Sequence, residues 1–405
     1  MRLVFVNHAH PALAHVSGMR LGSFSRSMAA RGHEVVLLTS TLPGATDDPI
    51  EPVSTRLSRH DWGMPLTIPV APLAGPSEPA NVPALVRRGL TLGRFLKYGG
   101  VHDRWTSAVK PCIGDLVSAF RPQAVWGTFG NTSNLVLAQA VARAARCPWV
   151  IDVKDNWTTF LRPGVRELMA WRFRDAVGYT SNASHHEQIA SRFLWQQRTQ
   201  VVYSGVAEAF FASSLTLTSA PKQFMLVGST YDGVRLRRFL HVAKEWIDGL
   251  SPSDRHALKF VYAGSDHDRV RQALAEVALP CAVEVTPQLS IEELAQRCRV
   301  SFANCYLWAE FTFHHKLLEL LVSGRPVVSF PGEAAESLRL ASLSPTPFAS
   351  CANAGELLEA LTRAWNRRDA PPVVNTSQPW KWSDRAAGLD AFFSEIVRRP
   401  AQCAA

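Results

Sequence analysis

Lys316 and Glu319 stand three residues apart in the run His315-Lys316-Leu317-Leu318-Glu319-Leu320-Leu321-Val322, which stops at Ser323-Gly324 and continues as Arg325-Pro326-Val327-Val328. The apolar spacing predicts a short helix feeding a buried strand, and residues i and i+3 share one helix face. A single ligand can therefore meet an ammonium and a carboxylate together. The cation suits a phosphate, and the carboxylate accepts from a sugar hydroxyl. Lys316 falls early in the predicted helix, where unpaired backbone N–H groups and the helix dipole also favour an anion. The alternative is a surface ion pair on an ordinary amphipathic helix.

Further candidates fall beside predicted strand ends, where polar groups face the crevice in which open α/β sheets bind ligands. His8 and His10 follow the strand Leu3–Val6; they serve as a general base, position a substrate, or are plain loop histidines. In Ile151-Asp152-Val153-Lys154-Asp155-Asn156-Trp157, Asp155 either faces an acceptor or caps the next helix, and Trp157 offers a stacking face or a pocket wall. Gly18, beside Ser17 at a predicted helix start, lets backbone N–H groups approach a phosphate or sugar closely. Val227-Gly228-Ser229-Thr230-Tyr231-Asp232-Gly233-Val234-Arg235 is a glycine-bearing strand-to-helix turn. Arg235 can hold a phosphate there bidentately, with Arg237 and Arg238 as alternatives. No His, Cys, Asp and Glu cluster has metal-ligand spacing, so no metal site is expected. No G-x-G-x-x-G turn follows a strand, which argues against a dinucleotide-dependent dehydrogenase.

Buried strands alternating with helices must position these residues. The predicted strands of the first half are Leu3–Val6, Glu34–Thr39, Ala124–Gly127, Trp149–Val153, Val177–Thr180 and Gln200–Tyr203. Those of the second half are Phe224–Gly228, Phe260–Gly264, Ala282–Thr286, Val300–Ala303 and Pro326–Phe330. Continuous apolar strands separated by helices predict parallel, doubly wound sheets. A Ser/Thr-rich linker at 212–221 separates 1–211 from 222–379, and a second linker precedes a terminal amphipathic helix in 380–405 that returns to the first domain. The proline-rich stretch 40–84 is expected to form long loops over the sheet's carboxyl edge. In Leu85–Tyr98, Leu85, Leu92 and Leu96 oppose Arg87, Arg94 and Lys97 at helical spacing, the pattern of a surface helix or a patch for anionic lipid.

A chain of 405 residues exceeds one ordinary core, and 47% hydrophobic with 19% charged residues describes a globular protein. The net charge of +9 calls for anionic partners, but no basic block or nucleic-acid motif is visible, so nucleic acid falls behind phosphorylated small molecules. The seven cysteines include no C-x-x-C pair and read as small core residues in a reducing compartment. The apolar start, too short for a signal-peptide core, and the absence of an apolar window of roughly 18 residues point to a cytoplasmic protein, with peripheral contact at the inner face of the plasma membrane left open.

The Lys316-x-x-Glu319 helix, the Arg31-Gly32-His33-Glu34-Val35 turn, Asp155 two before Trp157, and Val201-Val202-Tyr203-Ser204-Gly205-Val206 together resemble the family 4-like group of GT-B glycosyltransferases, with serine where relatives carry asparagine. The resemblance runs from Leu3 to about Phe393, and 40–110 matches nothing specific. It implies two Rossmann-like domains facing across a cleft, the first holding the acceptor and the second the donor. It further implies a retaining transferase that uses a nucleoside-diphosphate sugar, needs no cofactor or metal, and acts on a glycan, lipid-linked or small-molecule acceptor. Gly18, Gly228, Ser229, Arg235, Thr312, Phe313, His315, Lys316, Leu317 and Glu319 would contact the donor. Asp155, Glu310 and Lys316 would carry catalysis, and His8, His10 and Trp157 would face the acceptor. Two departures stand out. Ser229 replaces the usual arginine after the glycine, and Phe311 occupies the place of a first glutamate, with Glu310 one residue away. A GT-B epimerase of sugar nucleotides and a non-catalytic scaffolding protein are the competing readings.

Overall fold

In the computed structural model, residues 1–13, 15–45, 51–74, 84–211, 222–287, 289–310, 313–314, 316–374 and 379–398 are described, the side chains of 84–88 and 91 apart. Seven strands form the first sheet: β1 (Arg2–Val6), β2 (Glu34–Ser40), β3 (Leu66–Val70), β4 (Ala124–Phe129), β5 (Trp149–Val153), β6 (Gly178–Ser181) and β7 (Thr199–Val201), in the order β3-β2-β1-β4-β5-β6-β7. Six form the second: β8 (Gln223–Val227), β9 (Lys259–Ala263), β10 (Ala282–Thr286), β11 (Ala303–Leu307), β12 (Val327–Phe330) and β13 (Phe348–Ser350), ordered β10-β9-β8-β11-β12-β13. Every pairing between these strands is parallel. Leu3, Val4, Phe5 and Val6 are all fully buried, as a strand covered on both faces requires. In each sheet the strand order reverses beside the first strand, at β1/β4 and at β8/β11, and that is where open sheets of this kind bind ligands.

The chain divides into Met1–Ser204 with Trp382–Ala405, and Gly205–Lys381. Gly205 to Phe211, read from sequence as the end of the first domain, fall in the second unit. Val206 N–H donates to Trp380 O at 2.7 Å, tying this segment to residues just before the terminal helix. The predicted linker at 212–221 lies outside the described residues, as do 375–378 of the second.

The terminal helix Trp382–Arg398 packs within the first unit. Its Ala386, Leu389, Phe392, Phe393 and Ile396 share a core with Leu3, Phe5, Leu21, Phe24 and Trp126. Arg31 and His33 of the R-G-H-E-V turn both bond Asp390 of that helix, at 2.9 and 3.0 Å, so the turn is a fastening point.

Two strand expectations are corrected. The stretch 40–84 supplies β3 as well as loops; its burial alternates, and Pro69 is tolerated because β3 sits at the sheet edge. The strand expected at Val300–Ala303 runs instead from Ala303 to Leu307. Val300 caps the preceding helix, and the polar Asn304 is buried in the strand by bonds to Cys298 O (3.0 Å) and Ser323 Oγ (3.2 Å).

Candidate functional site

The second unit gathers its polar groups where β8 and β11 end. Gly228 follows β8 with φ of +93°, a backbone that favours glycine, and the Lys316 stem lies 4.0 Å from where a Cβ would stand there. Lys316 opens the seven-residue helix Lys316–Val322, and its Nζ donates to Glu319 Oε2 at 2.8 Å. Glu319 is only 2% exposed, whereas Lys316 retains 23%, so the pair is no surface ornament: its cation is the accessible end. Leu317 is core.

Asp232 caps the helix Gly233–Asp248, accepting from Arg235 N–H at 2.7 Å. This cap aims the Arg235 side chain back over the turn, where Nη1 donates to Trp308 O at 3.2 Å and Nε lies 3.3 Å from Asp232 Oδ2. Arg235 thus bridges the ends of β8 and β11. Arg237 instead pairs with Glu276, and Arg238 stacks over Phe330. Ser229 is exposed beside them. The turn is braced from below: Tyr262 Oη donates to Gly228 O (2.9 Å), and Thr230 N–H and Oγ1 both donate to Asp266 Oδ2 (2.8 and 2.9 Å). Burial pushes the Tyr262 phenol up to about 12, keeping it a donor.

Phe313 is half-buried and Glu310 exposed in the loop before Lys316; Thr312 and His315 lie outside the described residues. His314, buried in that loop, bonds Tyr231 Oη through Nδ1 at 3.1 Å, and its Nε2 accepts from Ala309 N–H at 3.4 Å. Tyr231 carries an unusual φ of +58°, so a non-glycine residue in the left-handed region is held against the neighbouring loop. Tyr306 Oη donates to Glu333, whose carboxyl is raised by burial. Tyr262, Asp266, Tyr306 and Glu333 escaped sequence reasoning because their partners are distant in the chain; only the polar residues closing strands signalled them.

In the first unit, His8 follows β1 and is fixed by its N–H donating to Asn134 Oδ1 at 2.8 Å. Its ring stacks on His102, centroids 3.7 Å apart, and meets the edge of Trp105 at 5.2 Å. Burial, then the neighbouring His102 and His15, hold His8 down at about 4, so it is neutral at pH 7. These rings border a cavity of about 320 Å³, lined also by Pro72, Arg94, Val101, Asp103 and Arg104. His10 uses Nδ1 to accept from Ala12 N–H at 3.1 Å and so shapes its own turn.

Asp155 pairs with the buried Lys154 (2.9 Å), which also donates to Ser17 Oγ (2.8 Å). Asn156, not Asp155, caps the next helix. Trp157 is fully buried against Phe129, its Nε1 donating to Arg166 O, so it cannot stack on a ligand; the apolar residues around this strand end draw the indole inward. Gly18 lies inside the helix Val16–Ala29, where a Cβ would stand 2.4 Å from His10 O. Its close approach serves the His8–His10 loop. Behind the site, Arg20 (1% exposed) and Asp152 (0%) form a bidentate ion pair at 3.0 and 2.8 Å, with Ser204 Oγ and Thr180 Oγ1 completing it. Asp152 inside an apolar strand was the available signal.

The helix Ala84–Tyr98 forms as predicted, but Leu92 and Leu96 are exposed while Phe95 packs on the core; the side chains of Leu85 and Arg87 are outside the described set. Among the described residues no helix is long and apolar enough to cross a membrane, and no cluster of His, Cys, Asp and Glu could hold a metal. Burial raises the thiols of Cys298, Cys305 and Cys351, as befits core cysteines.

No family model matches the sequence, and no curated protein matches it. Solved structures do resemble it. Sucrose-phosphate synthase from Thermosynechococcus elongatus matches with TM-score 0.62 and 16% identity, covering 98% of this chain and 97% of that one. The Anabaena protein HepE in complex with UDP and glucose matches at 0.58 and 12%, covering 98% of each chain. UDP-GlcNAc 2-epimerase from Methanocaldococcus jannaschii matches at 0.55 and 11%, covering 98% and 100%. The two parallel-sheet α/β units have the GT-B fold of these neighbours.

Proposed function

We propose that the protein is a retaining glycosyltransferase that moves a sugar from a nucleoside-diphosphate sugar to an acceptor hydroxyl in glycan, glycolipid or glycosylated-metabolite synthesis. The observation that carries this is the Lys316–Glu319 pair beside Gly228, where β8 and β11 end. Lys316 and Arg235 would neutralise the leaving diphosphate, which gathers negative charge as the glycosidic bond breaks; electrostatic stabilisation of that kind is often the largest catalytic term. Glu319 would accept from a donor hydroxyl. The solved neighbours named with UDP or as UDP-sugar enzymes support a nucleotide sugar as the ligand.

The likeness to a 2-epimerase favours one second reading, in which the same site isomerises the sugar nucleotide. Incubation with a panel of UDP- and GDP-sugars separates the two. Transfer releases diphosphate nucleotide in proportion to acceptor consumed, whereas isomerisation yields a new sugar nucleotide without release. Neither product, with nucleotide still bound, would leave a binding protein.

A further inference from the structure

We infer that the outward face of the helix Ala84–Tyr98 docks the first unit on a membrane surface that carries anionic lipid. The inference does not depend on the transfer reading. At about 100° per residue, the exposed positions 89, 90, 92, 93, 96 and 97 fall in one arc of roughly 160°. That arc holds Leu90, Leu92 and Leu96, at 56%, 42% and 40% exposure, with Gly89, Gly93 and Lys97, and no acid. Single exposed leucines are ordinary, but three sharing one face of one helix mark a contact surface. The face is held outward. Phe95, on the other side, packs on the first unit's core, and Thr132 Oγ1 donates to Gly99 O just past the helix end.

The groups beside the leucines decide what they meet. The Lys97 and Lys110 ammonium groups lie 5.0 and 4.9 Å from the Tyr98 ring centroid, and Lys110 Nζ donates to Lys97 O at 3.3 Å. Among the described residues neither ammonium pairs with a carboxylate. Burial lowers Lys110, and the ionisable groups that act on it besides are Tyr98, Arg172 and Lys97, none of them a carboxylate. A lipid surface answers the whole set: its acyl chains take the leucines, its interface the phenol and its phosphates the cations. An acidic protein surface answers the lysines and not the leucines. A second copy would bring the same cations to the contact, with no acid in the arc to meet them.

The test is co-sedimentation of the full chain with vesicles of phosphatidylcholine alone and of phosphatidylcholine with phosphatidylglycerol, at low and raised salt. Binding should be roughly tenfold or more tighter to the anionic vesicles and should weaken as salt rises. Lys97→Gln/Lys110→Gln should weaken it about 25-fold, roughly fivefold for each lysine near a charged surface. Leu92→Gln/Leu96→Gln, which keeps the charge, should weaken it roughly tenfold or more. Circular dichroism melting checks that each variant keeps its fold. Should the Lys110 change disturb the Tyr98 contact, Lys97→Gln alone should still show a loss of about fivefold. Equal binding to both vesicles, or binding intact in either double variant, overturns the inference. Absence of binding to either vesicle overturns it too, and a concentration-dependent dimer lost in the leucine variant would then assign the face to a second copy.

Discussion

Replacing Lys316 by Met keeps the side-chain stem and removes the cation, and two costs follow from the geometry. The Glu319 carboxylate, 2% exposed, loses the ammonium 2.8 Å away. Stranding one member of a fully buried ion pair costs about 3–5 kcal/mol. Lys316 is 23% exposed, so water reaches the vacated position; discounted for that screening, the cost to the second unit is about 1.5–3 kcal/mol. Separately, a bound diphosphate loses a charge-assisted contact worth about 1.5–3 kcal/mol, which weakens UDP or GDP binding roughly 10- to 150-fold.

A double replacement tells the two costs apart. Lys316→Met with Glu319→Met removes both charges, and stability should return to within about 1 kcal/mol of wild type because no buried charge is left alone. Nucleotide affinity should stay low, since the phosphate contact and the hydroxyl acceptor are both gone. Urea unfolding, fitted with a separate transition for each unit, reads the first quantity, and calorimetry with UDP and GDP reads the second. A Lys316→Met protein with wild-type stability and wild-type affinity would refute the reasoning. Affinity restored in the double variant would show that the pair never touches nucleotide.

Other outcomes follow from the first unit. Arg20→Met should cost about 3–5 kcal/mol by stranding Asp152, and adding Asp152→Leu should recover most of it; additive losses in urea unfolding would contradict a coupled pair. His8, held at about 4 against 6.5 unfolded, binds its proton more readily in the unfolded chain, so stability is full above pH 6.5 and falls as pH drops toward 4. Discounted for the half-buried ring, the loss is about 1–2 kcal/mol, and His8→Asn should flatten this part of the pH–stability curve. Gly18→Ala forces a Cβ against the His10 carbonyl and should destabilise by about 1–3 kcal/mol; an unchanged melting temperature would show that the loop yields freely.

The Lys316–Glu319 pair was legible because both members lie in one helix turn, where spacing alone dictates a shared face. The parallel sheets were legible for a similar reason: strands such as Leu3–Val6 are apolar throughout. Polar residues inside strands hid more. Asn304 donates its amide nitrogen to Cys298 O and Ser323 Oγ from inside the strand, and that buried polarity displaced the predicted strand by three positions. Asp152 needs Arg20, 132 positions away. The His8–His102 stack likewise joins two loops that no local period connects. Trp157 misled in the opposite sense, since an indole at a strand end can serve a ligand or the core, and only packing decides.

Both units repeat one strand order and place their chemistry at the same reversal, yet they fill it differently. In the second, a buried carboxylate anchors an accessible ammonium while Arg235 crosses the gap between strands, an arrangement whose free energy depends on opposing charge. In the first, burial lowers both imidazoles, and His102 beside it lowers His8 further. Fixed cations suit an anionic ligand, and neutral imidazoles keep a lone pair that an imidazolium lacks. The same strand order thus carries a charged arrangement in one unit and a neutral one in the other.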